Sequence, residues 1–580
     1  MTTAKPITQP MLPPEGMPKR TPIAGELFLR ALADHGVDFF FANPGTDFPP
    51  IVEAFVRARD TNTKVPKPVL VPHENLAVAM AHGAYLMNGR MQAVMVHVNV
   101  GTANTINNLT NLSRDRVPVL LAAGRTPFTE RSQFGSRSRP IHWAQEMFDQ
   151  AGMVRELVKW DYELRTPAQV GDAVCRACEV AMTTPRGPVY LVLPREPLSA
   201  PLGDLTAPVQ PRPVPARPYP DPTSIETLAE WIAAAEHPLL ITATAGMDPL
   251  AVESLSRFAE RWAVPVVTFN PRAMCLPTSH PMHLGFEPGA HLAAADLVIA
   301  LETDVPWIPS LQAPPSSCRV AHVGEEPLYL RYPMRSFPSD LAIAADAAAA
   351  LRALDEAVGR RLTPDDARIT ARRRRLAEEA DTRRAKRASE AVGAPDRITP
   401  AFLSRVIGDV VGPEAIIFNE YPLQADYCAR ENPGTYFALS PAGGLGWSLG
   451  AALGAKLAAP HRFIVSTIGD GAYVFGNPTA CHWVAGVNDL PVLTVIFNNS
   501  RYGAVRNATL SMFKDGASGN DDGRFLADLA PSPAFDELAR VQGAHGERVE
   551  RPQELRAALA RARDAVVNER RQAVVNVICQ

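Results

Sequence analysis

Two polar motifs follow apolar runs in the carboxy-terminal third of the chain. The run RFIVSTI ends in Gly469-Asp470-Gly471, and the run PVLTVIF ends in Asn498-Asn499. If both runs are neighbouring parallel strands, their carboxyl ends meet at the sheet edge where ligands bind. Glycine lets the backbone approach a phosphate closely, and carboxylate and amide oxygens are ligands that Mg²⁺ prefers. The spacing therefore predicts a site for a magnesium-bound diphosphate.

Two further side chains stand where apolar runs in the amino-terminal third end. In VLVPHENLAVAM, Glu74 opens a helix of small residues, and in VMVHVNV, His97 ends a strand. Taken alone, Glu74 is typical of an acid in the first turn of a helix, and His97 of a structural hydrogen-bonding group. Each polar dipeptide alone would likewise indicate a turn. Their combination favours a catalytic site.

The elements that position these residues form three alternations of strand-like and helix-like segments. They cover residues 23–200, 223–360 and 398–580, and each is typical of a parallel sheet flanked by helices. We expect an α/β protein with three doubly wound parallel-sheet domains. The segment 201–222 is too rich in proline for a helix and predicts a linker. Residues 361–397, charged almost all round, predict a solvated helical connector, and residues 1–22 predict a disordered tail.

Composition narrows the classes of partner. The chain has 580 residues, a formal net charge of −3, and no apolar run long enough to span a bilayer. We therefore expect a small-molecule substrate, with neither nucleic acid nor membrane as a partner. The seven cysteines include Cys175 and Cys178, which lie on one face of a predicted helix and indicate buried thiols. These features favour a reducing, cytoplasmic location.

Together the motifs resemble thiamine-diphosphate-dependent enzymes of the acetolactate synthase and 2-oxo acid decarboxylase superfamily, over nearly the whole chain. The most similar branch is benzoylformate decarboxylase, through the strings FANPGTDFPP, VHVNVGTANTINNLTNL, PAGGLGWSLGAALG and NNSRYGAVR. The resemblance implies a pyrimidine-binding domain (23–200), a middle domain (223–360) and a diphosphate-binding domain (398–580), in the fold of that family.

The resemblance also implies two cofactors, thiamine diphosphate and Mg²⁺. Asp470, the Asn499 side chain and the backbone carbonyl of Arg501 would hold the metal. Glu74 would activate the cofactor, the backbone of Gly443 would bind its aminopyrimidine, and Leu445 would keep it bent. The other residues at matching cofactor-binding positions are Asn43, Pro44, Gly45, Gly444, Gly469, Gly471, Ala472, Tyr502 and Gly503.

For the substrate, the resemblance implies three residues and an assembly. His97 would act as acid or base, and Thr46 and Trp307 would line the pocket. The implied reaction is non-oxidative decarboxylation of a 2-oxo acid, carboligation of the product, or both. In this family the two half-sites come from different subunits, so we expect a homodimer with shared active sites, assembled into a homotetramer.

Three alternatives remain open at this stage. One is acetolactate synthase-type ligation of two 2-oxo acids with a structural FAD, although nothing in the sequence indicates FAD. Another is an acyl-CoA lyase, for which the chain lacks a convincing basic carboxy-terminal lid. The third, from a different class, is an inactive cofactor-binding paralogue. The presence of Glu74, Asp470 and Asn499 together argues against the last.

Overall fold

The computed structural model describes residues 21–203, 210–520 and 525–579, so nearly all of the predicted amino-terminal tail lies outside the described residues. The chain forms two compact units, Met1–Val214 and Pro215–Gln580. The first unit contains one parallel sheet and the second contains two. The predicted fold of three doubly wound sheets is therefore confirmed.

The first unit holds a six-stranded sheet in the order β2-β1-β3-β4-β6-β5. Its strands are β1 (Phe39–Asn43), β2 (Lys67–Leu70), β3 (Gln92–Val96), β4 (Val119–Arg125), β5 (Asp161–Glu163) and β6 (Val189–Pro194). Its helices are α1 (Ala24–Asp34), α2 (Pro49–Asp60), α3 (Glu74–Asn88), α4 (Val98–Arg114), α5 (Ile141–Ala144), α6 (Val170–Met182) and α7 (Arg195–Ser199).

The second unit begins with a five-stranded sheet in the order β11-β10-β9-β7-β8. Its strands are β7 (Pro238–Thr242), β8 (Val266–Thr268), β9 (Leu297–Leu301), β10 (Arg319–Gly324) and β11 (Leu341–Ala344). The helices of this part are α8 (Pro222–Ala234), α9 (Pro249–Trp262), α10 (Gly289–Ala294), α11 (Ala347–Gly359) and α12 (Ala367–Glu390).

A second six-stranded sheet follows, in the order β13-β12-β14-β15-β17-β16. Its strands are β12 (Ile416–Glu420), β13 (Tyr436–Ala438), β14 (Ile464–Gly469), β15 (Leu493–Asn498), β16 (His545–Val549) and β17 (Ala573–Ile578). Its helices are α13 (Pro400–Val411), α14 (Trp447–Ala458), α15 (Asp470–Phe475), α16 (Pro478–Val487), α17 (Gly503–Met512), α18 (Ala517–Asn520), α19 (Phe535–Val541) and α20 (Pro552–Val567).

The central strands are continuous apolar runs because both of their faces are covered. Every residue of β3 and of β15 is buried, as expected for parallel strands between helix layers. The two six-stranded sheets have the same connectivity. In each sheet the second strand along the chain (β2 or β13) lies at the edge beside the first strand (β1 or β12), and the third strand (β3 or β14) lies on the other side of the first. The strand order therefore reverses between β1 and β3, and again between β12 and β14. Such switch points are where parallel sheets bind ligands.

The connector helix α12 corrects the prediction of a fully solvated segment. Its residues Ile369, Arg372, Leu376 and Ala380 form a buried stripe at helical spacing. The guanidinium of Arg372 donates to the carbonyls of Trp262 and Ala263 at 3.0 and 2.9 Å, where α9 ends. Arginine binds such unpaired carbonyls well because it presents several donors at once. One arginine therefore caps a neighbouring helix, which the charge pattern alone did not indicate.

Two smaller expectations have clear outcomes. Cys175 and Cys178 are both buried on α6, and every cysteine in the described ranges is a free thiol. Within those ranges no helix is long and apolar enough to cross a bilayer.

Candidate active site

The first part of the site is the carboxyl edge formed by β14 and β15. The strands are adjacent, with Gly469 paired to Phe497, so Asp470 begins α15 beside the loop that follows β15. The Asp470 side chain is 3% exposed. Its Oδ1 accepts the Gly471 amide at 2.9 Å, whereas Oδ2 is buried without a hydrogen-bond partner. A buried acceptor without a partner costs about 1–3 kcal/mol, which a bound cation would offset.

The loop after β15 lies against this carboxylate. Burial raises the pKa of Asp470, and the nearby backbone amides of Gly471, Ser500 and Arg501 lower it. The side chain of Asn499 is exposed at this edge, and its Oδ1 accepts the Arg501 amide at 3.0 Å. The structure therefore brings together the three predicted metal-binding residues.

This edge fits a magnesium ion that also binds a diphosphate. In the described ranges no three His, Cys, Asp or Glu side chains cluster as metal ligands. An ion here would instead use the free Asp470 oxygen, the amide oxygen of Asn499, the carbonyl of Arg501 and phosphate oxygens, all hard ligands suited to Mg²⁺.

Small residues occupy the predicted phosphate-binding positions at this edge. A Cβ on Gly471 would lie 2.5 Å from the Tyr502 ring, so the ring occupies the space that a side chain would need. At Gly469 a Cβ would meet nothing within 4 Å. Gly503 begins α17, and Ala472 is buried in α15. Of these positions, Gly469 has open space beside its backbone, whereas Gly471 is packed against Tyr502.

The glycine-rich loop before α14 is bound to a buried carboxylate. Gly443 and Gly446 have φ angles of 73° and 75°, a region that other residues avoid. Glu420, the last residue of β12, accepts the amides of Gly446 at 2.7 Å and Ser448 at 2.8 Å. Gly444 is buried and Leu445 is partly exposed in the same loop. Glu420 therefore fixes the segment on which the predicted aminopyrimidine contacts lie.

Burial dominates the ionisation of Glu420. The side chain is fully buried, which raises its pKa to about 7, although the amides of Ser448 and Gly446 act in the opposite direction. A carboxyl group with this pKa changes charge near neutral pH.

In the first unit, Glu74 lies at the corresponding sheet edge. It is the first residue of α3. Asn43 donates to its Oε1 at 2.8 Å, and Asn104 donates to its Oε2 at 2.5 Å. Asn43 ends β1, the strand at the switch point. Both carboxylate oxygens are thus held by side-chain amides, and Asn43 supports Glu74.

His97 lies at the end of β3 and is bound to Asp47. Its Nδ1 is 2.6 Å from Asp47 Oδ1, and Asp47 Oδ2 accepts the Val98 amide at 3.3 Å. The hydrogen bond to Asp47 raises the pKa of His97, burial lowers it, and the charges of Asp47 and Glu74 raise it further. The net pKa of His97 is raised, mainly by Asp47, and Glu74 makes the smallest of the contributions named.

The backbone around this pair leaves space for it. A Cβ on Gly45 would lie 2.2 Å from His97 Nδ1, and a Cβ on Gly124 would lie 1.8 Å from Asp47 Oδ2. Val98 has a φ angle of 36°, which is costly for a β-branched residue and occurs mainly at functional sites. Glycines in two distant segments therefore leave the space that the Asp47–His97 pair occupies.

A third group completes the surroundings of the imidazole. Gln145, just after α5, has its Nε2 atom 3.3 Å from His97 Nε2. Its Oε1 is buried and has no hydrogen-bond partner. Nearby, the pKa of His142 is lowered by burial and by the charges of Arg195, Arg139 and Arg137. Cationic side chains therefore lie near His142, whereas the charges that act on His97 are the negative ones of Asp47 and Glu74.

The remaining predicted residues lie in different settings. Pro44 is exposed in the turn after β1, and the Thr46 carbonyl accepts Arg195 Nη1 at 3.4 Å. Trp307 is 1% exposed in the core of the five-stranded sheet, edge-on to Phe337 at 5.1 Å. That burial favours a packing role for Trp307 over contact with a substrate.

Sequence reasoning missed four residues of the site: Asp47, Asn104, Gln145 and Glu420. Asp47 lies in a turn-like string, NPGTD, where aspartate is common without any further role. Glu420 carried the one usable signal, because an acid that ends an apolar strand and precedes a glycine-rich loop is a candidate cap for buried amides.

Comparison with protein families gives three matches along the chain. Residues 23–153 match "Thiamine pyrophosphate enzyme, N-terminal TPP binding domain". Residues 225–354 match the central domain of the same enzymes, and residues 421–577 match their C-terminal TPP binding domain. Together the matches cover at least part of each of the three sheets.

Several curated proteins are similar over most of their length. A sulfoacetaldehyde acetyltransferase from Castellaniella defragrans is 25% identical, covering 97% of this chain and 94% of the relative. A benzoylformate decarboxylase from Pseudomonas aeruginosa is 28% identical, with 82% and 85% covered. An acetolactate synthase large subunit from Corynebacterium glutamicum is 25% identical, with 93% and 84% covered.

Solved structures share the fold. A thiamine diphosphate-dependent 4-hydroxybenzoylformate decarboxylase from Rhodococcus jostii RHA1 has a TM-score of 0.77 at 23% identity, covering 96% of this chain and 99% of that chain. A putative thiamin diphosphate-dependent enzyme from Mycobacterium smegmatis has a TM-score of 0.75 at 23% identity, with 97% and 100% covered.

Proposed function

The chain belongs to the thiamine pyrophosphate enzyme family, and on that premise we propose that it decarboxylates a 2-oxo acid without oxidation, joins the resulting acyl unit to a second carbonyl compound, or does both. It would use thiamine diphosphate and Mg²⁺. The cofactor, when bound, supplies the electron sink for cleaving the bond next to the carbonyl. The chain's own residues hold the cofactor, orient the substrate and move protons.

One observation carries the proposal. Glu74 and His97 follow strands on either side of β1, and the charge of Glu74 helps to raise the pKa of His97. A braced carboxylate and a hydrogen-bonded imidazole at the switch point of a parallel sheet are the two proton-transferring groups that this chemistry requires. An inactive paralogue would need neither.

Glu74 has the role of activating the cofactor. Its two oxygens accept hydrogen bonds from Asn43 and Asn104, which fix the direction of the carboxylate. Each oxygen retains a second lone pair for the aminopyrimidine ring. Glu74 would therefore exchange a proton with that ring without changing position.

Asp470, Asn499 and Arg501 have the role of holding Mg²⁺ and, through it, the diphosphate. The support is the unpaired Oδ2 of Asp470 and the adjacent loop after β15. Gly443, Gly444 and Leu445 would bind and bend the cofactor from the loop that Glu420 holds.

His97 has the role of acid or base toward the substrate, and Thr46 lies in the same loop as its partner Asp47. The arginines that lower the pKa of His142, which include Arg195 and Arg139, are candidates for binding the carboxylate of an acid substrate. The benzoylformate decarboxylase relative is an enzyme of a 2-oxo acid by name. The proposed substrates are aromatic or aliphatic 2-oxo acids.

The proposal includes self-association. In the family that the chain resembles, the two half-sites come from different subunits, and we therefore propose that Glu74 and Asp470 of different subunits share each active site in a homodimer, assembled into a homotetramer. A cytoplasmic location is part of the same proposal.

The test begins with binding. Purified chain, freed of small molecules, is titrated with thiamine diphosphate in the presence and absence of MgCl₂, and saturable binding that requires the ion is expected. The loaded protein is then given a panel of aromatic, branched and linear 2-oxo acids while carbon dioxide and carboligation products are followed. If the chain binds no thiamine diphosphate, the proposed function is wrong.

A matched pair of variants tests the role of Glu74. Glu74→Gln should lower the decarboxylation rate at least about 100-fold, the lower range for proton-transferring groups, while the cofactor still binds. Glu53→Gln, at an exposed position of α2, should leave the rate unchanged. A flavin spectrum in the purified protein would instead favour the acetolactate synthase alternative.

A further inference from the structure

Two groups from distant segments hold the imidazole of His97 at both nitrogens. Asp47 Oδ1 lies 2.6 Å from Nδ1, and Gln145 Nε2 lies 3.3 Å from Nε2. Asp47 follows β1 and Gln145 follows α5, so neither is a sequence neighbour of His97. The ring cannot turn without breaking one of these contacts.

The orientation of the Gln145 amide corresponds to one protonation state of the ring. An ionised carboxylate only accepts hydrogen bonds, so Nδ1 carries a proton and donates it to Asp47. The amide nitrogen of Gln145 also only donates, so Nε2 must accept from it and carries no proton. The arrangement therefore suits neutral His97, and it leaves Gln145 Oε1 buried and unpaired.

The opposite orientation suits the protonated ring. A half-turn of the amide would exchange Nε2 with Oε1 and place an acceptor against His97 Nε2. That acceptor pairs with an Nε2–H of the imidazolium, in a charge-assisted bond stronger than the neutral one. The same side chain thus offers a partner for each charge state of the ring.

We propose that Gln145 is a positioning residue that turns its amide as His97 gains or loses the proton on Nε2, while Asp47 keeps Nδ1 fixed. The inference rests on the proposed function for its use. When the Nε2–H bond breaks, its electron pair stays on nitrogen, and the proton forms a C–H bond at the carbon that has lost carbon dioxide. Water then returns a proton to Nε2, and the amide turns back.

The other charged groups around the His97 ring cannot take over the roles of Asp47 and Gln145. Asp47 and Glu74 act on His97 through their negative charges. His142 has a lowered pKa because of burial and the neighbouring Arg195, so it stays neutral where His97 titrates. Of the two side chains that contact the His97 ring among the described residues, Asp47 and Gln145, Gln145 is the one whose half-turn exchanges a donor for an acceptor.

The test measures the pKa of His97 in the full-length chain without cofactor. Protein labelled at histidine Cε1 is titrated by NMR, and the His97 signal is the one missing in His97→Gln. If the amide turns, Gln145→Met removes the stronger bond to the imidazolium, and the pKa of His97 should fall by about half a unit to one unit. If the amide is a fixed donor, the same change removes a group that opposes protonation, and the pKa should rise.

A conservative variant and a control complete the design. Gln145→Glu offers only acceptors and a negative charge, so it should raise the pKa of His97. Gln133→Met makes the same replacement at an exposed position of the loop and should leave the pKa unchanged. An unchanged or raised pKa in Gln145→Met overturns the inference, whatever the enzyme activity.

Kinetics separate this inference from the proposed function. In active protein, the pH dependence of decarboxylation should move in the same direction as the NMR pKa in each variant. If no 2-oxo acid is decarboxylated but the pKa of His97 falls in Gln145→Met, the proposed function fails and the coupled amide stands. If the chain decarboxylates a 2-oxo acid but the pKa of His97 rises in Gln145→Met, the proposed function stands and the coupled amide fails.

Discussion

At the scale of the residue, the ionisation of His97 depends on Asp47. The hydrogen bond between them is the largest cause of the raised pKa of His97, and Asp47 is almost fully buried beside Gly124. A buried carboxylate that orients an imidazole also selects which ring nitrogen carries the proton. Asp47 therefore controls both the direction and the charge of the proposed acid.

Replacement of Asp47 by asparagine tests that control. In Asp47→Asn the amide can donate to Nδ1 and no longer carries a charge, so the pKa of His97 should fall and the proton should move to the other nitrogen. We expect a decarboxylation rate about 10²- to 10⁴-fold lower, with cofactor affinity unchanged. Asp34→Asn, at an exposed position of α1, should match the wild type. A normal rate in Asp47→Asn would contradict the assignment.

The unpaired oxygen of Asp470 predicts dependence on a divalent ion. Chelation with EDTA followed by gel filtration should release thiamine diphosphate, and MgCl₂ should restore binding. Asp470→Ala removes the anionic ligand, so it should weaken cofactor binding at least about 10-fold even in excess Mg²⁺. Asp528→Ala replaces an acid in the segment bridged to Arg501 and serves as the comparison. Cofactor binding that resists EDTA would count against the metal site.

At the scale of the element, Glu420 caps the amino terminus of α14. Its ionisation should make the free energy of unfolding of the chain depend on pH. Burial raises the pKa of Glu420 from its ordinary 4.5 to about 7, so the folded chain binds a proton that the unfolded chain has lost. The free energy of unfolding should therefore fall as the pH rises from about 4.5 to about 7, by up to about 3 kcal/mol from this group.

A charge-neutral variant isolates this effect. Glu420→Gln cannot ionise, so the urea midpoint measured at pH 5, 6, 7 and 8 should lose that part of its pH dependence. Glu537→Gln, an exposed acid in α19, should retain the wild-type dependence. Parallel pH curves for wild type and Glu420→Gln would show that Glu420 does not titrate in this range.

Elements also determine how much the sequence could predict. Asp470 and Glu74 were predictable because each follows an apolar strand, and the ends of parallel strands meet at one edge. Asp47 and Gln145 were not, because both lie in loops whose paths depend on tertiary contacts such as the close approach of Asp47 to Gly124. In α12 the charge pattern did not indicate the narrow buried stripe, because one of its members, Arg372, is charged. Arg372 can be buried because its guanidinium donates to backbone carbonyls.

At the scale of the whole molecule, two sheets repeat one topology and each carries half of the proposed chemistry. The first sheet holds Glu74 and His97 at its switch point, and the last sheet holds Glu420 and Asp470 at the equivalent position. The predicted boundaries of these domains, 23–200 and 398–580, enclose both sets. Under the proposed function, complete catalysis requires one half-site of each kind.

Subunit mixing tests whether the halves come from different chains. Glu74→Gln and Asp470→Ala should each be inactive alone. If two chains share each site, random reassociation of equal amounts forms half of the dimers as mixed pairs, and each mixed pair has one intact site of two. Activity should then return to about a quarter of the wild-type value. If each chain instead builds its own site, every site in every mixture carries one defect, and no activity should return at any mixing ratio.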